Sequence, residues 1–378
     1  MMHGHDWVYG SEVLKVFGDP VPGSVIALKD GRDRPLGTAI YNPRSQIVAR
    51  RISRRKEQLD GDFFRRRVAR ALAWREQAGC NPALSRLVWG EADGLPGVVA
   101  DRYGPAIVLQ TNTLAMDLHK ADLALALADI EGVACVIEKN DSGSRVAEGL
   151  EPAVGVLWGE DPGSLVVEAA GVRFELDLSS GQKTGLYLDQ VENWRILAGY
   201  AQGCSVLDCF ANQGGFALAC AVGGATSVMA VESGAAVAAR LEHNARLNGC
   251  AIELVQADVF GLLDRLAREE RRFDIIILDP PSFTKVKGRI HDALRGYRDL
   301  HRRAAPLLAP GGLLATFCCS HHVSKAAFRE AVAAGMGDAK RAAHILAELS
   351  QPVDHPVALH MPETDYLKGL LLAARSAF

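Results

Sequence analysis

The sequence predicts an α/β fold: a doubly wound, mostly parallel sheet, preceded by a small β-rich domain and a small α+β domain. Three observations predict it. From about residue 180 onward, strand-like and helix-like runs alternate strictly. Before that point, short β-like runs are cut by turn residues. The length, 378 residues, exceeds one small core and points to two or three domains.

Residues 1–72 contain "SVIALKD", "PLGTAIY" and "QIVARRIS", separated by Pro-Gly, Gly-Arg and Asn-Pro turns. The helix "GDFFRRRVARALAWREQ" leads out of this module. Phe63, Phe64, Val68, Leu72 and Trp74 supply its apolar positions, so Arg65, Arg66, Arg67 and Arg70 are expected to face solvent. In residues 73–178 the runs "GVVADRYG", "AIVLQTNTL", "ACVIEKN" and "LVVEAAGVRFELDL" alternate with the helical "HKADLALALADI", an α+β pattern. Residues 179–378 hold five strand candidates, "CSVLDCF", "SVMAVES", "IELVQAD", "FDIIILDPP" and "GLLATFCC", with helices between them, the Rossmann-like arrangement. Two last runs, "AHILAELS" and "GLLLAARS", are expected to close the sheet as an antiparallel hairpin.

With 48 % hydrophobic and 23 % charged residues the chain reads as soluble and globular. No apolar run approaches the ~18 residues of a membrane span. The start, "MMHGHDWVYGSEV", lacks the cationic and apolar halves of a signal peptide, so the cytoplasm is the expected compartment and no membrane partner is expected. Eight cysteines without a C-x-x-C pair give neither a disulfide framework nor a zinc ribbon; reduced thiols and no metal are expected. Net charge is −3, but between Arg44 and Arg75 eleven Arg or Lys face three acids. Such a run is either a solvated face or a phosphate-contacting surface, with Arg50, Arg51, Arg54, Arg55 and Lys56 as its candidate contacts.

Acids finish the strands: Asp208 in "VLDCFANQGGF", Glu232 in "MAVES", Asp258 in "VQADVF" and Asp279 in "IILDPPSF". In an open α/β sheet ligands bind outside these carboxyl ends. Gly214 and Gly215 in the first turn would let a ligand approach the backbone, yet this turn is neither G-x-G-x-x-G nor a P-loop. A carboxylate after the second strand suits ribose hydroxyls, and Asp258 could serve an adenine amino group. The acids would repel a phosphate-rich cofactor, so S-adenosylmethionine fits better than NAD or ATP. Two prolines after Asp279 stiffen the loop over the crevice.

"VLDCFANQGGF", the spaced acids and "LDPPSF" resemble motifs I to IV of class I S-adenosylmethionine-dependent methyltransferases. Residues 85–104, 179–194 and 360–372 resemble blocks of the bacterial ribosomal RNA large-subunit methyltransferase I family, whose members methylate C5 of a cytosine in that RNA. The resemblance implies a PUA-like RNA-binding domain at the N-terminus, a central α+β domain and a methyltransferase domain. It also implies large-subunit (23S) rRNA as partner and S-adenosylmethionine as cofactor, with contacts from Gln190, Asp208, Asn212, Gly214, Gly215, Glu232, Asp258 and Asp279. A homodimer is left open. The family usually reads "GQKTGFFLDQRENR"; here Val191 and Trp194 replace the two arginines. Lys183 in this block is either a cofactor-side residue or a solvated loop charge.

Cytosine C5 is a poor nucleophile, and transient attack at C6 by a thiolate makes it enamine-like. "DPPSF" offers no cysteine, whereas "ATFCCS" offers two, and by resemblance to Thr-Cys-Ser and Ser-Cys-Ser forms Cys319 aligns as nucleophile. Strand alternation sends Cys318 to the other side. Asp279 is the candidate to hold the cytosine N3 and amino edge. Phe283 either stacks on a flipped base or is a core aromatic. His321 and His322 are expected to start the following loop. Two alternatives stand: an exocyclic-amine methyltransferase acting on guanine or adenine, and a catalytically inactive RNA-binding assembly factor.

Overall fold

The computed structural model describes residues 4–178, 185–284 and 287–375; Lys183 lies outside the described residues. By contacts the chain forms two compact units. One comprises residues 1–167, 175–188 and 353–365, the other 168–174, 189–352 and 366–378.

In the first unit β1 (Trp7–Tyr9), β2 (Val25–Lys29), β3 (Pro35–Tyr41) and β4 (Ile47–Ser53) form an antiparallel sheet in the order β1-β4-β3-β2. The β3 and β4 backbones approach at Gly37, where φ is +123° and a Cβ would stand 2.1 Å from the Ser53 carbonyl oxygen. Only glycine permits that approach. Helix α1 (Gly61–Gln77) starts at Asp60, whose carboxylate accepts from the Phe63 N–H at 2.8 Å.

The buried face of α1 is Phe63, Phe64, Val68, Ala71 and Arg75, which corrects the sequence expectation. Trp74 is 48 % exposed, and Leu72 only half-buried. A charge can take the core position because Arg75 is paired with Asp93 at 2.6 Å and donates to the carbonyls of Arg86 and Asp354. Trp74 falls one residue, roughly 100°, off the buried stripe.

The second sheet of this unit contains β5 (Leu84–Trp89), β6 (Val98–Tyr103), β7 (Ala106–Thr111), β8 (Cys135–Asn140) and β9 (Ala153–Gly159), in sequential order. Only β7 and β8 run parallel, joined through α2 (Leu114–Leu118) and α3 (Lys120–Ala128); α4 (Arg145–Glu148) precedes β9. One core unites both sheets with α1 and α3 through Ile40, Ile52, Phe64, Ile107, Val136 and Leu123. The run "LVVEAAGVRFELDL" proves to be two strands, β10 (Ser164–Ala169) and β11 (Val172–Asp177). Ala170 and Gly171 between them both take positive φ, as a tight hairpin turn requires. Alanine is a rare residue for that conformation, which is why the break was not legible.

The second unit is the α/β layer. After α5 (Val191–Ala198) come β12 (Ser205–Asp208), α6 (Gly215–Val222), β13 (Ser227–Val231), α7 (Ala235–Leu247), β14 (Glu253–Val255), α8 (Val259–Arg268), β15 (Phe273–Leu278), α9 (Ile290–Ala304), β16 (Leu308–Cys318), α10 (Lys325–Asp338), β17 (Ala342–Leu349) and β18 (Lys368–Arg375). The sheet order is β14-β13-β12-β15-β16-β18-β17. The first five strands are parallel, and β18 and β17 are antiparallel to their neighbours. The closing hairpin is thus inserted: β18 pairs with β16 and β17 takes the edge. The apolar run of β18, buried from Lys368 to Leu372, can fill an interior place, whereas β17 is largely exposed.

Alternation divides the layers. Leu207, Ile276, Leu278, Leu314 and Cys318 pack with α8, α9 and α10. On the other face Phe317 meets Phe216 of α6 at 5.2 Å, and Phe216 meets Trp194 of α5 at 6.3 Å. At Gly215 a Cβ would stand 2.3 Å from the Trp194 ring, so the smallness of Gly215 accommodates the indole. Gly215→Ala is expected to destabilise the protein by about 1–3 kcal/mol, measured by urea unfolding.

Candidate active site

Strand order reverses at β12, flanked by the next strand in the chain, β13, and by the later β15. The crevice of such a sheet opens at their carboxyl ends, where Asp208 and Asp279 stand. Asp208 is fully buried. Its Oδ2 accepts from the Ala217 N–H at 3.1 Å, and its Oδ1 has no partner among the described residues. Burial pushes its carboxyl up to about 7, with the like charges of Asp279 and Glu232 adding to the rise against the Phe210 and Ala217 N–H groups.

The turn after β12 is fixed by the next acid. Glu232 accepts from the Asn212 N–H at 3.1 Å through Oε2 and from the Gly234 N–H at 2.8 Å through Oε1. Oε1 also accepts from the Ser233 hydroxyl at 3.5 Å, so Oε2 is the oxygen that keeps a lone pair for a further donor. Asn212 takes φ +47°, a conformation asparagine tolerates, and Gly214 at +98° opens α6. Gly214 faces Leu218 and Leu241, so both glycines serve the packing of α6 as well as the turn. Asp258 is exposed and caps α8, accepting from the Gly261 N–H at 3.0 Å.

Gln190 is buried between two partners. Its Nε2 donates to Asp279 Oδ2 at 3.0 Å, and its Oε1 accepts from Asn193 Nδ2 at 2.6 Å. Asn193 also donates to the Ser350 carbonyl, a relay that sequence reasoning missed. In the neighbouring strand, β16 ends at Cys318, which is fully buried in the α9–α10 core. Cys319 follows outside the strand and is half-buried. Ser320 is buried again, and its hydroxyl lies 2.7 Å from that of Ser282, which joins the Cys319 loop to the loop after Asp279. Cys209, next to Asp208 in the chain, is buried in the core, and burial pushes it well above its ordinary value.

Three contributors went unread. Lys368, the first residue of β18, is buried, and its ammonium donates to the carbonyls of Ser320 at 2.7 Å and Val323 at 3.0 Å, clamping the loop after Cys319. Tyr366 donates to Asp189 Oδ2 at 2.6 Å and stacks on His321, ring centroids 5.6 Å apart. His301 is buried, bonded to Thr316 and to the Tyr297 carbonyl, and burial lowers it to about 4, so it stays neutral. Apart from the His301–Tyr297 bond within one helical turn, these pairings join residues 15 or more positions apart, where no periodicity marks them. His321 and His322 lie exposed in the turn before α10.

Three residues expected as RNA contacts have partners within the chain. Arg50 pairs with Glu91 at 2.9 Å and Glu148 at 3.6 Å and lies over the Trp7 ring. Arg51 pairs with Asp6 at 2.6 Å and donates to the Gly4 carbonyl. Both guanidiniums hold the first unit together. Phe283 packs edge-on against Tyr297 at 4.7 Å and lies near Phe260 and Gly296, so it is a packing aromatic. Arg54, Arg55 and Lys56 are exposed and make no ion pair among the described residues.

Three carboxylates in one crevice, one of them buried with an unpartnered oxygen, favour a cationic, hydroxyl-bearing ligand over a phosphate. Residues 118–370 match the S-adenosylmethionine-dependent methyltransferase family, and residues 1–54 match a PUA-like domain. The chain is 38 % identical over 374 residues to the ribosomal RNA large subunit methyltransferase I of Shewanella amazonensis, covering 97 % of this chain and 94 % of that one. The chain belongs to the ribosomal RNA large subunit methyltransferase I family. The namesake from Tolumonas auensis is 37 % identical, with 99 % and 96 % covered. This family member also shares its fold with a solved structure described as a methyltransferase complexed with S-adenosylhomocysteine, TM-score 0.85 at 23 % identity, covering 98 % of this chain and 96 % of that one. A second, from Streptococcus mutans, gives TM-score 0.83 at 22 % identity, with 97 % and 95 % covered. The protein is an S-adenosylmethionine-dependent methyltransferase, and its acceptor set fits that cofactor: an acid with a vacant acceptor at β12 and a carboxylate with a spare lone pair on Oε2 after β13.

Proposed function

We propose that this methyltransferase forms 5-methylcytosine in large-subunit rRNA through a covalent adduct of Cys319. One observation carries the reading. Cys319 stands one residue beyond β16, and the Ser320–Ser282 contact ties its loop to the Asp279 loop, while Cys318 is buried in the core. Bound S-adenosylmethionine supplies an electrophilic methyl group. The Cys319 thiolate adds to C6 of the base, forming a C–S bond and raising electron density at C5, which takes the methyl group. A base then removes the C5 proton, the C–S bond breaks and the thiolate is released. Asp279, held by Gln190, orients the N3 and amino edge of the cytosine. Gln190, Asp208, Asn212, Glu232 and Asp258, with the Gly214–Gly215 turn, line the cofactor side. Arg54, Arg55 and Lys56 face the RNA.

The test is nucleoside mass spectrometry of large-subunit rRNA incubated with the protein and S-adenosylmethionine. 5-Methylcytosine is the expected product; a methylated exocyclic amine of guanine or adenine, or no product, overturns the reading. The packed position of Phe283 disfavours the exocyclic-amine alternative, which needs a stacking aromatic after the proline pair.

The buried ammonium of Lys368 holds the loop that follows Cys319 through the Ser320 and Val323 carbonyls. Lys368→Met is expected to lower the 5-methylcytosine yield by about tenfold while S-adenosylhomocysteine affinity by calorimetry is retained; a wild-type yield removes Lys368 from the positioning of this loop.

A further inference from the structure

A cleft of about 550 Å³ in the first unit is lined by Arg54, Arg55, Arg67, Arg70 and Trp74, together with the 356–360 segment. Three acids also line it, and each is already matched: Asp6 by Arg51 at 2.6 Å, Glu91 by Arg50 at 2.9 Å and Asp93 by Arg75 at 2.6 Å. Arg54, Arg55, Arg67 and Arg70 pair with no carboxylate among the described residues, so the cleft holds four uncompensated guanidiniums. The Arg67 guanidinium donates to the Ile52 carbonyl, lies over the Phe63 ring and sits against Gly94. Burial, and then neighbouring Arg70, hold it below its ordinary value.

Arg67, Arg70 and Trp74 recur at i, i+3 and i+7, one face of α1. On that face Phe63, one turn before Arg67, is buried under the Arg67 guanidinium, while Trp74 presents its indole 48 % exposed among the guanidiniums. Paired helices keep their base faces stacked within the duplex, whereas an unpaired base offers a face to an aromatic ring. Guanidiniums that track phosphates, with one accessible indole between them, are the pattern of a single-strand site.

We propose that this cleft binds an unpaired segment of the RNA substrate, its phosphates on Arg54, Arg55, Arg67 and Arg70 and one base stacked on Trp74. The proposal rests on RNA being the substrate, but not on which base or atom is methylated.

The experiment measures binding of the full chain, without turnover, to a single-stranded and a duplex RNA oligonucleotide by fluorescence anisotropy at several salt concentrations. Trp74→Ala is expected to weaken single-strand binding roughly tenfold and to leave duplex binding nearly unchanged. Combined Arg54→Ala, Arg55→Ala and Arg70→Ala is expected to lower the slope of log affinity against log salt by about two. Arg32→Ala, at an exposed position outside the cleft, should leave both readouts as in the wild type. S-adenosylhomocysteine affinity by calorimetry should be retained in every variant, which also verifies that each is folded. Wild-type RNA affinity and salt slope in the cleft variants would overturn the proposal, as would anionic phospholipid vesicles binding more tightly than RNA through the same residues. Absence of 5-methylcytosine in the product assay would sink the proposed reaction and leave this binding result standing.

Discussion

Cys319→Ala is expected to abolish 5-methylcytosine formation, by ~10⁴-fold or more, while S-adenosylhomocysteine affinity stays at the wild-type value. The loss is large because C5 of cytosine cannot accept the methyl group unless C6 first gains the sulfur. Affinity is expected to be retained because the proposed cofactor contacts are the acids of the crevice, not the thiol. Cys318→Ala is the matching control. Cys318 is fully buried beside Tyr297, whose phenol burial pushes far up. Its removal is expected to lower stability by about 1 kcal/mol and to leave methyl transfer intact. The reverse pattern, an active Cys319→Ala and a dead but folded Cys318→Ala, would assign the nucleophile to the other thiol. Mass spectrometry of the protein trapped with a 5-fluorocytosine-containing RNA should locate the adduct on the peptide that contains Cys319.

Asp208→Asn is the second large effect, and it has two opposite arms. In the folded protein this carboxyl is raised from 3.8 to about 7, chiefly by burial. A raised acid lends stability that is fully present below pH 3.8 and is lost as pH rises through about 7, because the unfolded chain ionises first. The loss amounts to at most about 4 kcal/mol for a shift of roughly three pH units. Asp208→Asn removes this dependence. Its stability relative to the wild type, from urea unfolding, should therefore climb between pH 4 and pH 7 and level off above. The same substitution is expected to weaken S-adenosylhomocysteine binding tenfold or more at pH 8, since the vacant Oδ1 acceptor is replaced by a donor. A stability difference that is flat with pH would mean that Asp208 is ionised in the folded protein, and unchanged affinity would remove it from the cofactor side.

Much of the α/β layer was legible because its signals are local. "VLDCF", "SVMAV", "FDIIIL" and "GLLATFCC" are apolar runs that end in acids or soft residues, and each became a strand, the first three with an acid at the carboxyl end. The family blocks were equally local. The hairpin at Ala170–Gly171 was missed because its turn uses alanine at positive φ, and the insertion of β18 beside β16 because pairing order is a non-local choice. Arg50 and Arg51 read as surface charge, since a sequence shows a guanidinium but not the carboxylate that comes to meet it.

By itself, then, the sequence determined the alternating strands, the acids at their ends, the absence of a phosphate loop and the separation of Cys318 from Cys319 by strand alternation. Those features follow from periodicity and residue chemistry within a few positions. Tertiary structure alone decided that Asp208 is buried with a vacant acceptor, that Gln190 holds Asp279 and that Lys368 clamps the loop after Cys319. It also decided that Trp74 faces solvent among unpaired arginines while Arg75 takes its place in the core. Each of these depends on which distant groups share a low-dielectric space or compete for the same partner, and no window along the chain contains that information.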